Sequence, residues 1–171
     1  MRYAAYAFPL LLAACLTGGT DSPLAVATRS GDVAEVRALL EAGADPNAPS
    51  GGSGWTPLMH AIHKNQLGTA AALLDGGALP DLGKPDGYTP LMMAAAYDNG
   101  PMVALLLSRG ASPRVRSASG DTALDYAITG VVDVDRMTLF RCNAETAQLL
   151  TRVSPPPTAS TQRWTKIKGC A

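Results

Sequence analysis

The chain has 171 residues, 47% hydrophobic and 16% charged, enough apolar material for one domain with a continuous core. Its 14 Lys and Arg residues balance its 14 Asp and Glu residues, so no global charge directs it to nucleic acid. The charges are unevenly placed: residues 21–98 hold nine acidic and four basic side chains, and residues 99–171 hold five acidic and nine basic. In an elongated molecule this gives an acidic end and a basic end; loosely distributed solvated charge is the plainer reading.

Taken in chain order, Arg2 precedes an apolar run, Tyr3 to Leu12, which is too short to span a bilayer and has the length of a signal-peptide core. The run meets Leu12-Ala13-Ala14-Cys15. Those four residues resemble the lipobox of bacterial lipoproteins. The resemblance implies cleavage before Cys15, a diacylglyceryl thioether on its sulfur and acylation of the new amino group. Residues 1–14 are then a signal peptide and residues 15–21 a lipidated linker. Each buried methylene contributes about 0.8 kcal/mol, so several acyl chains anchor a protein that one chain would hold only marginally. Leu16 stands where Asp would mark retention, which implies the periplasmic side of the outer membrane. The other reading is an ordinary secretory signal and a soluble periplasmic protein.

From Ser22 the chain repeats. Thr56-Pro57-Leu58 returns as Thr89-Pro90-Leu91 and, more weakly, as Thr122-Ala123-Leu124, each 33 residues on. Ser22-Pro23-Leu24 opens an earlier copy, one residue out of period because the linker Pro49 to Gly54 is long. A fixed period of this size marks a stacked-repeat protein. Leu24, Leu58, Leu91 and Leu124 fall in phase, as do Ala27, Ala61, Ala94 and Ala127. A leucine and an alanine three residues apart predict a short helix burying one face, started by a hydroxyl cap and a first-turn proline. A second helix follows: Asp32 and Glu35 resemble a capping box ahead of Val36, Leu39 and Leu40. Gly-Ala pairs at residues 43, 77 and 110 stop the second helices.

Helix, helix and loop every 33 residues, with Thr-Pro-Leu, the alanines, the paired leucines and Gly-Ala in phase, resemble the ankyrin repeat over residues 22–153. The resemblance implies an all-α solenoid of about four helix-turn-helix repeats with projecting loops and a concave binding face. Two departures stand out. The family's His after Thr-Pro-Leu is Met59, Met92 or Asp125 here, which puts its hydrogen-bond bracing in question. The fourth copy breaks period after Ile128 and resumes as a final helix, Ala144 to Val153, as a modified capping repeat does.

Beyond it, residues 154–171 form a Pro-rich linker and a basic tail. Ser154 to Pro157 predicts an extended spacer. Arg163 to Lys168 alternates basic and apolar residues around Trp164, either as a strand-like tail packed on the last repeat or as a mobile basic peptide. With Cys15 acylated, Cys142 and Cys170 are a candidate disulfide in an oxidising compartment, two free thiols being the alternative.

No catalytic pattern emerges: the sequence has no phosphate loop, nucleophile elbow or paired-carboxylate motif. His60 and His63, three apart on one helix, could share a face as metal ligands do, and they support an alternative metal-dependent or enzymatic reading. By resemblance, the residue before each Thr and those seven and eight beyond it face the concave side. This assigns Arg29, Trp55, His63, Lys64, Tyr88, Tyr97 and Asp121 as partner-binding candidates. The expectation is a monomeric, non-catalytic protein-interaction module without cofactor, metal or nucleic acid. It would bind a toxin, as an immunity protein does, or an envelope enzyme, as a scaffold does.

Overall fold

A computed structural model of the chain describes residues 21–51, 54–129, 144–159 and 161–162. Eight α-helices and no strand occur among them. The first helix of each repeat is α1 (Pro23–Ser30), α3 (Pro57–His63), α5 (Pro90–Ala96) or α7 (Ala123–Thr129). Ser22, Thr56 and Thr89 sit just ahead in extended backbone, and each hydroxyl accepts the N–H three residues on. Proline follows where no donor is needed. The bracing left open by the missing His is supplied in two repeats by its replacements. The Thr89 N–H donates to Met92 Sδ at 3.4 Å, and the Thr122 N–H and hydroxyl donate to Asp125 Oδ2 at 2.8 and 2.7 Å.

The second helices are α2 (Val33–Glu41), α4 (Leu67–Asp75), α6 (Gly100–Ser108) and α8 (Ala144–Thr151). Asp32 and Asn99 cap α2 and α6, whereas Gln66 makes no side-chain cap bond to α4. The expected glycine stops hold: Gly43, Gly77 and Gly110 have φ of 89°, 93° and 88°, a conformation that would strain any Cβ. The final helix closes at Thr151, two residues before its expected end at Val153.

Helices α1, α3, α5 and α7 stack in one row and α2, α4, α6 and α8 in another, each pair packing within its own repeat. Leu24, Leu58, Leu91 and Leu124 lie buried between the rows with Ala27, Ala61, Ala94 and Ala127. The small alanines allow the helices to approach, and the leucines fill the seam. Finger loops join the repeats, closed by matching bonds from Ser50 N–H to Trp55 O, Lys84 N–H to Tyr88 O and Ser117 N–H to Asp121 O. The first finger holds one residue more, in keeping with its long linker.

Residues 155–158 run without regular structure, and the backbone is helical at Ala159, Thr161 and Gln162. The segment folds back on the fourth repeat, where the Thr158 N–H donates to Asp125 Oδ1 at 2.7 Å and Thr161 is buried. Residues 1–14, expected to be a signal peptide, lie outside the described residues, as do Cys15, Trp164, Cys142 and Cys170. Among the described residues, no helix is long and apolar enough to cross a membrane.

Candidate protein-binding face

Stacking α3 on α5 brings side chains 34 residues apart into contact. His63 ends α3, Tyr97 follows α5, and His63 Nδ1 lies 3.0 Å from the Tyr97 hydroxyl. The Trp55 ring meets the His63 ring edge-on, with centroids 5.1 Å apart, and His63 stands 5.8 Å from Tyr97. Trp55, His63 and Tyr97 thus form one half-buried row of rings across repeats two and three. Such rings are large and rotationally restricted, and they lose little entropy when a partner covers them.

The other candidates fall around this row. Lys64 is exposed beside His63. Arg29 pairs with Asp21 at 2.7 Å on a partly exposed surface, where such a pair contributes little. Tyr88 does not join the row. Its ring packs edge-on against Tyr126 at 5.1 Å, tying repeat three to repeat four, and burial pushes its hydroxyl pKa up. Asp121 accepts the Ser119 hydroxyl at 2.6 Å and helps to shape the third finger.

Spacing alone pairs His60 with His63, but the structure gives the two imidazoles separate tasks. His60 Nε2 lies 3.0 Å from the Ser50 hydroxyl, and its ring sits 5.4 Å from that of Trp55. Burial, and after it the Arg29 charge, hold His60 below its ordinary pKa, with Ser50 and Asp21 pulling the other way. Ser50 is 1% exposed, so this contact braces the first finger and leaves no reachable nucleophile. Among the described residues no three His, Cys, Asp or Glu side chains gather as a metal site.

A cleft of about 390 Å³ opens beside the ring row. Ile62, Leu67 and Pro101 form its apolar lining, and His63, Asn65, Tyr97, Asp98 and Asn99 its polar lining. The turn between helices places it there. Gly31, Asn65 and Asp98 occupy the same turn position, with φ of 80°, 56° and 54°. Asn and Asp tolerate this left-handed backbone better than other side chains. Each turn is held from the next repeat: Gln66 Nε2 donates to Arg29 O, Asn99 Nδ2 to Asn65 Oδ1, and the Thr146 hydroxyl to Asp98 Oδ1. The last bond docks α8 on repeat three. Sequence reasoning does not single out Ser50, Tyr126, Asn65, Asp98 or Asn99, and it gives His60 only the metal-ligand reading. Tyr126 shares the repeat position of His60, four residues past the threonine, so aligning the copies there would have drawn attention to it.

Stacked helix pairs with finger loops and a ring-lined face define a helical-repeat solenoid of the binding-scaffold class. The chain belongs to the ankyrin-repeat family, a class of protein-interaction modules. A model of ankyrin repeats in three copies matches residues 4–82, and a second, of ankyrin repeats in many copies, matches residues 73–127. The first match begins within the stretch read as a signal peptide. A 2-5A-dependent ribonuclease of Mus musculus is 43% identical over 67 residues, which are 39% of this chain and 9% of that protein. The chain therefore spans less than a tenth of the length of this curated relative.

Proposed function

We propose that this ankyrin-repeat protein binds a protein partner without turnover, through the concave side of the stack, while held by lipid on Cys15 at the periplasmic face of a bacterial outer membrane. The observation that carries the binding reading is the continuous row of Trp55, His63 and Tyr97 across the two middle repeats. Lys64 beside it, and Arg29 toward the first repeat, add charge at the rim, where charge sets partner choice and encounter rate more than affinity. The ribonuclease activity in the relative's name is not carried over, because the match covers 9% of that protein. An immunity role against a delivered toxin and a scaffold role for an envelope enzyme share this mechanism.

Two experiments test the reading. Chemical cross-linking in native envelopes should capture a partner with the wild-type chain and lose it with a Trp55→Ala, Tyr97→Ala double variant. Equal capture by both would refute the groove. For the anchor, Cys15→Ser should move the protein from the membrane fraction to the soluble fraction; unchanged fractionation would reject lipidation. Non-reducing and reducing electrophoresis of the same protein report on Cys142 and Cys170: an intramolecular bridge holds the denatured chain more compact, so the oxidised chain should migrate faster than the reduced one.

A further inference from the structure

We propose that the cleft beside the ring row seats a basic side chain, an arginine, presented by the partner protein. This deepens the concave-face reading and rests on it. The cleft's lining combines apolar side chains, Ile62, Leu67 and Pro101, with polar ones that include Asn65, Tyr97 and Asp98. An arginine has the same mixed chemistry, three methylenes followed by a planar cation with five N–H donors and no acceptor. At about 390 Å³ the space takes one long side chain with water around it.

Charge decides the sign of the ligand. Helices α3 and α5 end at the turns that line the cleft and helices α4 and α6 begin at them, so negative and positive dipole ends meet and largely offset. The Asn99 side chain already accepts the Met102 N–H at the start of α6. Asp98 is then the one carboxylate of the lining. Thr146 donates to its Oδ1, and a carboxylate has room for several more donors, so it can take a guanidinium as well. The Tyr97 ring adds a surface on which a guanidinium stacks. Lys64 is adjacent in sequence but does not line the cleft, and it is exposed to solvent. A phosphate or a carboxylate would meet Asp98 with no Lys or Arg in the lining to offset it.

The test uses the full, isotope-labelled chain and three blocked peptides, Gly-Arg-Gly, its citrulline counterpart and Gly-Glu-Gly, titrated by amide NMR. Citrulline keeps the shape of arginine and removes the charge. The arginine peptide should give saturable millimolar shifts centred on Asn65, Leu67, Tyr97 and Asp98. The citrulline peptide should bind about tenfold more weakly, the worth of a charge-assisted bond pair, and the glutamate peptide should not bind. Asp98→Asn should bring arginine down to the level of citrulline. Asparagine tolerates φ of 54° and still accepts from Thr146, so an unchanged spectrum elsewhere verifies the fold. Equal binding of arginine and citrulline, shifts confined to the fingers, or wild-type affinity in Asp98→Asn would each overturn the proposal. Partner capture separates the two readings. If Asp98→Asn captures the partner as wild type does while the Trp55, Tyr97 double variant loses it, the groove stands and the arginine seat falls. If all three capture equally, both fall.

Discussion

Asp125 is the buried group on which the fourth repeat turns, and replacing it with asparagine gives a sharp test. It is 1% exposed, and its two oxygens accept from the Thr122 N–H and hydroxyl on Oδ2 and from the Thr158 N–H on Oδ1, with the Thr161 side chain adding a further bond. Asparagine offers one oxygen and one NH₂ group, so whichever way the amide is turned, an NH₂ faces a backbone donor. One donor is then stranded, at about 1–3 kcal/mol, and the remaining bond loses its charge assistance, at about 1 kcal/mol more. A total of about 2–4 kcal/mol lowers the thermal midpoint by about 4–16 °C in a chain of this size. Burial alone would raise the Asp125 pKa, but the bonds from Thr122, Thr158 and Thr161 overcome it and hold the carboxyl below its ordinary value. A depressed carboxylate contributes stability above its unfolded pKa, near 3.9, and loses it as pH falls through the folded value. Urea unfolding followed by circular dichroism should therefore show a gap between wild type and variant at pH 7 that closes below about pH 4. Equal stability at pH 7, or a gap that persists unchanged to pH 2.5, would refute the reasoning.

Three further outcomes follow from local geometry. Alanine at Gly83 would place its Cβ on the Tyr88 carbonyl oxygen and within 2.9 Å of Thr89 Cα, both backbone atoms, so the second finger must open; thermal unfolding should report a loss of about 2 kcal/mol. Gly76→Ala meets side chain rather than backbone, Leu40 Cδ1 at 2.6 Å and Cγ at 3.2 Å, which can turn aside, and should cost less than about 1 kcal/mol in the same assay. Because burial and Arg29 hold His60 below its ordinary pKa, its contribution is full above pH 6.5 and is lost as pH falls through that value, where the unfolded chain takes up the proton. The urea midpoint should fall between pH 7.5 and pH 5.5 in wild type, and His60→Gln should flatten that fall.

The helix pairs were legible because their signals are local and repeated. A hydroxyl before proline starts α1, α3 and α5, and a glycine with positive φ closes each of the first three second helices. The site was legible only in part. Trp55, His63 and Tyr97 could be assigned to one face by resemblance, but that His63 bonds Tyr97 depends on how closely α5 stacks on α3. Tyr88 has the same repeat position as Trp55 and a different fate, because Tyr126 lies next to it where the neighbouring copy places methionine, Met93. Asp125 was visible as a departure from the family's pattern. Its bond to Thr158 was not, since it joins residues 33 apart across a stretch where the period has failed. The turn bonds from Asn99 to Asn65 and from Thr146 to Asp98 were hidden for the same reason: stacking, not spacing, creates them.

The central claim is that a protein partner meets the ring-lined side of the stack. Site-specific photo-cross-linking tests it most directly, with a photo-reactive residue placed at exposed Lys64, beside the ring row, and in a parallel protein at exposed Arg37 on helix α2, in the other row. The account predicts a discrete adduct from position 64 in living cells and none from position 37. An adduct from position 37 alone, or equal adducts from both, would contradict it.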